Sequence, residues 1–229
     1  MTTTTSPGKP RPSIRQQRRE RTHALIHEAA LRLVQEKGFK ATTTDEIVAQ
    51  AGVSPRTLFN YFQGKEDAVL GLRTPAVTEE ILRRDSERED LYIFERITHL
   101  LLDIVLESVQ GPPYDQVVEL VSAYPELRFR LRTHNLACES VLADFLRTID
   151  WKEFARQGRR GPFIYFTPDS SDPVDHPTHY DEDLVQGGVC IASAIWRYLD
   201  YTKRLPLGDT RDQKVAQAVH NFRHLLRED

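Results

Sequence analysis

Four side chains within one short stretch carry the chemistry needed to read a nucleic acid: Arg56, Thr57, Asn60 and Tyr61. A guanidinium matches O6 and N7 of guanine, and a carboxamide matches N6 and N7 of adenine. The hydroxyls of Thr and Tyr, and the ammonium of nearby Lys65, suit phosphate oxygens. These groups act together only if a rigid element holds them on one face, so the local signals around them matter most. Residues 43–65 read TTDEIVAQAGVSPRTLFNYFQGK.

That stretch spells two short helices and the turn between them. Thr43 stands three residues before Glu46, the spacing of a capping box. Ile47, Val48 and Ala51 then offer an apolar edge, and Gly52 sits where the chain must turn. Val53 is placed to plug the space between the helices. Ser54 followed by Pro55 is a second start signal, a cap plus a first-position proline. Leu58 and Phe62 recur at i, i+4 and are expected to face inward, which leaves Arg56, Thr57, Asn60 and Tyr61 outside. Two helices joined this way are the layout of a helix-turn-helix, although a plain helical hairpin with a polar outer face shares the same periodicity.

The order of residues resembles the DNA-binding domain of the TetR family of transcriptional regulators, whose pattern runs roughly TTxxIAxxAGVSxxTLYxYFxxKExL. Thr43, Ile47, Ala51, Gly52, Val53, Ser54, Thr57, Leu58, Tyr61, Phe62, Lys65 and Glu66 match it in place. Phe59 replaces the usual Tyr, Val48 the usual Ala, and Gly64 a common Ser or Asn cap. The resemblance implies that Thr43, Tyr61 and Lys65 grip backbone phosphates and that Ser54 caps the recognition helix beside them. It implies that Arg56, Thr57 and Asn60 read bases, and that the fold is all-α: a three-helix head with a larger helical bundle, acting as a homodimer.

Charge fits a head that docks on a polyanion. Residues 1–65 carry 11 Lys and Arg against 5 Asp and Glu, whereas the whole chain has a formal net charge of −3. A basic head on an acidic body steers one end only. Residues 1–12 are rich in Thr, Pro and Gly and are expected to form a disordered basic arm. Lys9, Arg11, Arg15, Arg18, Arg19 and Arg21 run into a first helix capped by Ser13, where they either follow DNA phosphates or simply solubilise the chain. Ile26, Ala29, Ala30, Leu33 and Val34 form that helix's inner stripe, and Gly38 stops it.

The N-terminus lacks an apolar signal region, and no apolar run approaches the ~20 residues a membrane span requires. Cys138 and Cys190 follow no metal or redox spacing. A soluble, cytoplasmic protein without membrane contact is expected.

The reading divides the chain into the arm, a helix-turn-helix domain over 13–65, and a ligand-binding and dimerisation domain over 66–229. Helices are expected over Lys65–Glu87, Leu91–Gln110, Asp115–Ala123, Pro125–Thr148, Glu182–Lys203 and Asp209–Arg227. Residues 157–181 form a long break with one apolar patch, Phe163 to Phe166, as a short extended segment or a lid. Family resemblance places the dimer interface on the last two helices and a small-molecule effector, apolar or aromatic, inside the C-terminal domain. The side chains singled out for the effector are His99, Asp103, Tyr124, His134, Cys138 and Trp196, each of which also suits ordinary core. A dimer of this kind demands a pseudo-palindromic operator in double-stranded DNA, from which a repressor is released by its effector.

Other functions have less support. Asp175, His176, His179, Asp181 and Glu182 cluster in the loop, but they are Pro-interrupted and lack H-E-x-x-H spacing, so a polar loop is the simpler account and no metal is expected. No Walker loop, dinucleotide Gly fingerprint or G-x-S-x-G is present, and neither enzyme activity nor a cofactor is expected. A ligand-independent DNA-organising or interaction protein on the same scaffold is the competing reading.

Overall fold

A computed structural model describes residues 13–109, 114–166, 179–201 and 210–225. The expected arm over 1–12 and part of the long loop, with Asp175 and His176, lie outside the described residues. The described chain is all-α, with eleven helices. It divides into two compact units, the first running to Leu72 and the second starting at Arg73.

The N-terminal unit is built from strong local signals. α1 (Ile14–Lys37) opens on Ser13, whose Oγ accepts from the Gln16 amide. It closes at Gly38, whose φ is 83°. α2 (Thr44–Ala51) opens on the Thr43–Glu46 capping box and ends at Gly52 in the left-handed region, φ 66° and ψ 34°. A Cβ there meets no steric obstacle, so backbone conformation alone makes glycine the favoured residue. α3 (Pro55–Tyr61) is capped by Ser54 Oγ on the Thr57 amide at 3.1 Å. α4 (Lys65–Leu70) lacks a side-chain cap at Gly64. Instead Asp67, inside the helix, accepts from the Gln63 amide at 3.2 Å. The core that these helices enclose includes Ile26, Ala30, Val34, Phe39, Ile47, Leu58, Phe62 and Ala68, all buried.

The C-terminal unit contains α5 (Glu79–Ser86), α6 (Ile93–Ser108), α7 (Tyr114–Ala123), α8 (Pro125–Leu146), α9 (Trp151–Arg156), α10 (His179–Tyr201) and α11 (Arg211–Leu225). α6 is its axle. Every residue from Arg96 to Val105 is buried, and α5, α8, α10 and α11 all pack on it. A helix buried nearly all round belongs in the middle of such a bundle, here with Arg96, His99 and Asp103 as polar side chains carried into it. On α10, Gly188 permits close approach to α6, since a Cβ there comes within 3.1 Å of Ile97 Cδ1.

Two expectations need correction. The linking helix over Lys65–Glu87 is two helices: Gly71, φ 64°, ends α4, and Thr78 restarts the chain by capping the Ile81 amide. Pro75 lies in the interruption and has no amide to continue a helix. Between the end of the expected Pro125–Thr148 helix and the break expected from residue 157, where no element is expected, the chain forms α9, capped by Asp150 on the Glu153 amide at 2.9 Å. Phe163 is a wall of the core rather than a lid. Its ring lies 5.4 Å from Phe154 and 6.3 Å from Trp151. An antiparallel bridge pairs Ile149 with Tyr165 to hold this strap.

Candidate nucleic-acid interface

α3 owes its outward face to what it buries. Leu58, with Phe62 just beyond the helix, anchors the inner side. Arg56, Phe59 and Asn60 are exposed, while Thr57 and Tyr61 are half-buried. Thr57 is partly committed to structure, because its hydroxyl lies 2.8 Å from Ser54 Oγ. Arg56 and Asn60, four residues apart, share the free side of the helix. Tyr61 packs edge-on against His23 of α1, ring centroids 6.4 Å apart. That contact limits where its phenol can point.

A groove of about 670 Å³ runs between α3 and α1, lined by Ile14, Arg15, Arg18, Arg19, Thr22, Asn60 and Tyr61. Three guanidinium groups on one wall and the end of α3 on the other make a site suited to a polyanion backbone. The sequence signalled these arginines only as a basic run; their alignment beside Asn60 needed the packing of α1.

Thr43 and Lys65 are tied into the scaffold. Thr43 Oγ donates to Glu46 Oε2 at 2.8 Å. Glu46 also takes Lys37 Nζ, and that bond, with those to Thr43, holds its carboxyl down at about 2. Lys65 Nζ donates to the carbonyls of Phe39 at 3.1 Å and Thr42 at 3.0 Å. It also stands 4.4 Å from the Phe39 ring centroid. An ammonium has three donors, so one direction is left for an outside acceptor.

The residues singled out for an effector fall into separate settings in the C-terminal unit. His134 Nε2 lies 2.7 Å from Ser108 Oγ, and Cys138 Sγ lies 3.6 Å from the same hydroxyl. Burial pushes the Cys138 thiol up to about 11. Asp103, fully buried, is surrounded by Arg84 at 3.2 Å, Arg88 at 2.7 Å and Arg211 at 2.9 Å. His99, one turn away and also buried, has no hydrogen-bond partner at either ring nitrogen. Its Nδ1 is 3.6 Å from Asp212. Burial, reinforced by Arg88, lowers its pKa to about 4. Trp196 is buried on α10, and Tyr124 is half-buried at the start of α8.

Sequence reasoning missed Ser108 and the arginines around Asp103. Arg84 and Arg88, four apart, were visible as a cationic pair, but nothing local named their partner. It also missed Arg96, which holds Asp85 through two bonds of 2.7 and 2.5 Å. Arg96 further donates to the Gly161 carbonyl at 2.6 Å and stacks 3.6 Å from the Phe163 ring centroid. Glu182, expected beside the loop cluster, lies on α10 and is bound by Arg147 at 2.9 and 2.8 Å, which pulls its carboxyl down to about 2.

Residues 26–70 match the sequence model of the family described as bacterial regulatory proteins, tetR family. An uncharacterized HTH-type transcriptional regulator of Bacillus subtilis (strain 168), YvkB, is 28% identical over 147 residues. The alignment covers 60% of this chain and 72% of that protein. So long a match extends past the N-terminal unit, which ends at Leu72. No helix among the described residues is long and apolar enough to cross a membrane.

Proposed function

We propose, from the premise that this chain is a helix-turn-helix transcriptional regulator of the TetR family, that it is a repressor released from a pseudo-palindromic operator by a small molecule. The observation that carries the DNA half of this reading is the exposed Arg56–Asn60 face of α3 beside the arginine groove of α1. Arg56, Thr57 and Asn60 read base edges. Thr43, Ser54, Tyr61 and the remaining donor of Lys65 hold phosphates, as do Arg15, Arg18 and Arg19.

A homodimer through α10 and α11 presents two copies of α3 one DNA turn apart, or a multiple of it, which is why the operator must be two-fold related. The effector acts in the C-terminal unit by favouring a state in which the two copies of α3 no longer fit successive grooves, a coupling of about 1–3 kcal/mol in typical cases. Among the six residues singled out, His134 and Cys138 are brought together on one hydroxyl, that of Ser108, inside an apolar core, whereas Asp103 is already held by three arginines.

The deciding experiment is selection from a genomic fragment library by the full-length chain, followed by sedimentation of the complex. Recovery of one palindrome bound by two chains supports the reading. Weak binding with no preferred site points to a DNA-organising protein on the same scaffold.

A further inference from the structure

We propose that Phe59 is a specificity-determining residue whose ring contacts the 5-methyl group of an operator thymine. This rests on the DNA reading above and deepens it. The ring is 58% exposed, although its neighbours Leu58 and Phe62 are buried to 0% and 2%. On α3 it stands three residues after Arg56 and directly before Asn60, so it edges the same exposed side as the two proposed base readers.

Singly exposed apolar side chains are common, and Ile14 at 72% and Phe129 at 75% are more exposed still. What marks the Phe59 ring is its place between Arg56 and Asn60 on the proposed reading face. The ring has neither donor nor acceptor, so it cannot hold a phosphate or take a hydrogen bond from a base edge. The usual Tyr of the resembled pattern carries a hydroxyl here, and its absence removes the polar option. In the major groove the apolar feature that distinguishes one base from the others is the thymine methyl, which apolar side chains contact. Continuity with Arg56 and Asn60 places the ring where a helix in that groove meets base edges.

The test uses the full-length chain and duplexes carrying its selected operator, with each thymine replaced in turn by deoxyuridine, which removes only the methyl. The wild type is expected to lose about fourfold in affinity per methyl at one position of each half-site. Phe59→Ala is expected to bind the thymine and uracil forms equally, while Phe59→Tyr, which keeps the ring, retains the preference. Circular dichroism of both variants should match the wild type, because the ring supports no core. A wild type indifferent to uracil at every position overturns the proposal, as does a Phe59→Ala variant that still prefers thymine. A wild type that selects no sequence at all removes the DNA reading and this inference with it, a result distinct from selection without methyl dependence.

Discussion

Lys65 donates its ammonium to the Thr42 carbonyl at 3.0 Å, which fastens the start of α4 to the corner between α1 and α2. The Phe39 carbonyl takes a second bond from the same atom at 3.1 Å. A side chain that resemblance assigns to phosphate is therefore also a staple of the N-terminal unit. Its rigidity is what allows α2 and α3 to be presented as one body.

Replacing Lys65 with Met removes both bonds and leaves two carbonyls without that charged donor. Hydrogen bonds to charged groups contribute roughly 1.5–3 kcal/mol each, and half-burial and access to water place the expected loss near the lower end for the pair. Operator affinity should fall alike for all sequences, because no base contact changes. Denaturant unfolding followed by circular dichroism, with binding to matched and mismatched duplexes, checks both parts. An unchanged unfolding midpoint refutes the staple.

Asp103 gives a prediction for the other unit. With no exposed surface, it binds Arg84, Arg88 and Arg211, sharing their charge with Glu107, which also takes Arg84, and with Asp212 beside Arg88 and Arg211. Asp103→Asn keeps the shape and removes the charge, leaving Arg84 to Glu107 and both Arg88 and Arg211 to the exposed Asp212. Breaking a buried ion pair from one side costs about 3–5 kcal/mol, and the partial exposure and remaining carboxylate partners of these arginines put the expected loss at or below the bottom of that range. Both tryptophans, Trp151 and Trp196, belong to the C-terminal unit, so tryptophan fluorescence in urea follows that unit alone. The midpoint should drop sharply, with less change in circular dichroism from the N-terminal helices.

These two relationships also mark what the sequence could disclose. The caps at Ser13, Thr43 and Ser54 were legible because each is decided within three residues. Gly38 and Gly52 were legible for the same reason. The break at Gly71 was equally local, but a continuous apolar period obscured it. The Asp103 cluster joins α5, α6 and α11, whose partners are set by packing rather than spacing. Arg96 with Asp85, and Ser108 with His134, were hidden for that reason too. At the interface, residue types were readable on α3, whereas the groove that joins them to Arg15, Arg18 and Arg19 exists only once α1 folds over the helix pair.

His99 sets an acid limit on the C-terminal unit. Burial holds its pKa at about 4, below the unfolded value of about 6.5, so the unfolded chain binds the proton more readily. Its contribution is complete above the unfolded value and is lost as pH falls toward the folded one. Within that window the slope from this group reaches at most about 1.4 kcal/mol per pH unit. His99→Leu removes both unpaired nitrogens and the proton uptake. It should be neutral or stabilising at pH 7 and should flatten the stability profile between pH 6.5 and 4. Tryptophan-detected urea titrations at several pH values measure this directly. An equally steep profile in the variant assigns the acid sensitivity to other groups.

The α1 groove predicts how salt acts on DNA binding. Each arginine that neutralises a phosphate releases counterions, so log affinity falls against log salt with a slope of about −0.9 per contact. Arg15, Arg18 and Arg19 line one wall and belong to the exposed start of α1, so changing them to Gln leaves the core intact. The triple variant should have a slope shallower by up to about 2.7 per N-terminal unit, while its preferred site stays the same. Arg56→Ala should behave differently: a loss of about 1–3 kcal/mol concentrated at one base pair, where the wrong bases become tolerated. Titrations across several salt concentrations on matched and single-mismatch duplexes separate the two. A triple variant with unchanged slope confines phosphate binding to the helix-turn-helix, and one that alters base preference makes α1 part of the reading surface.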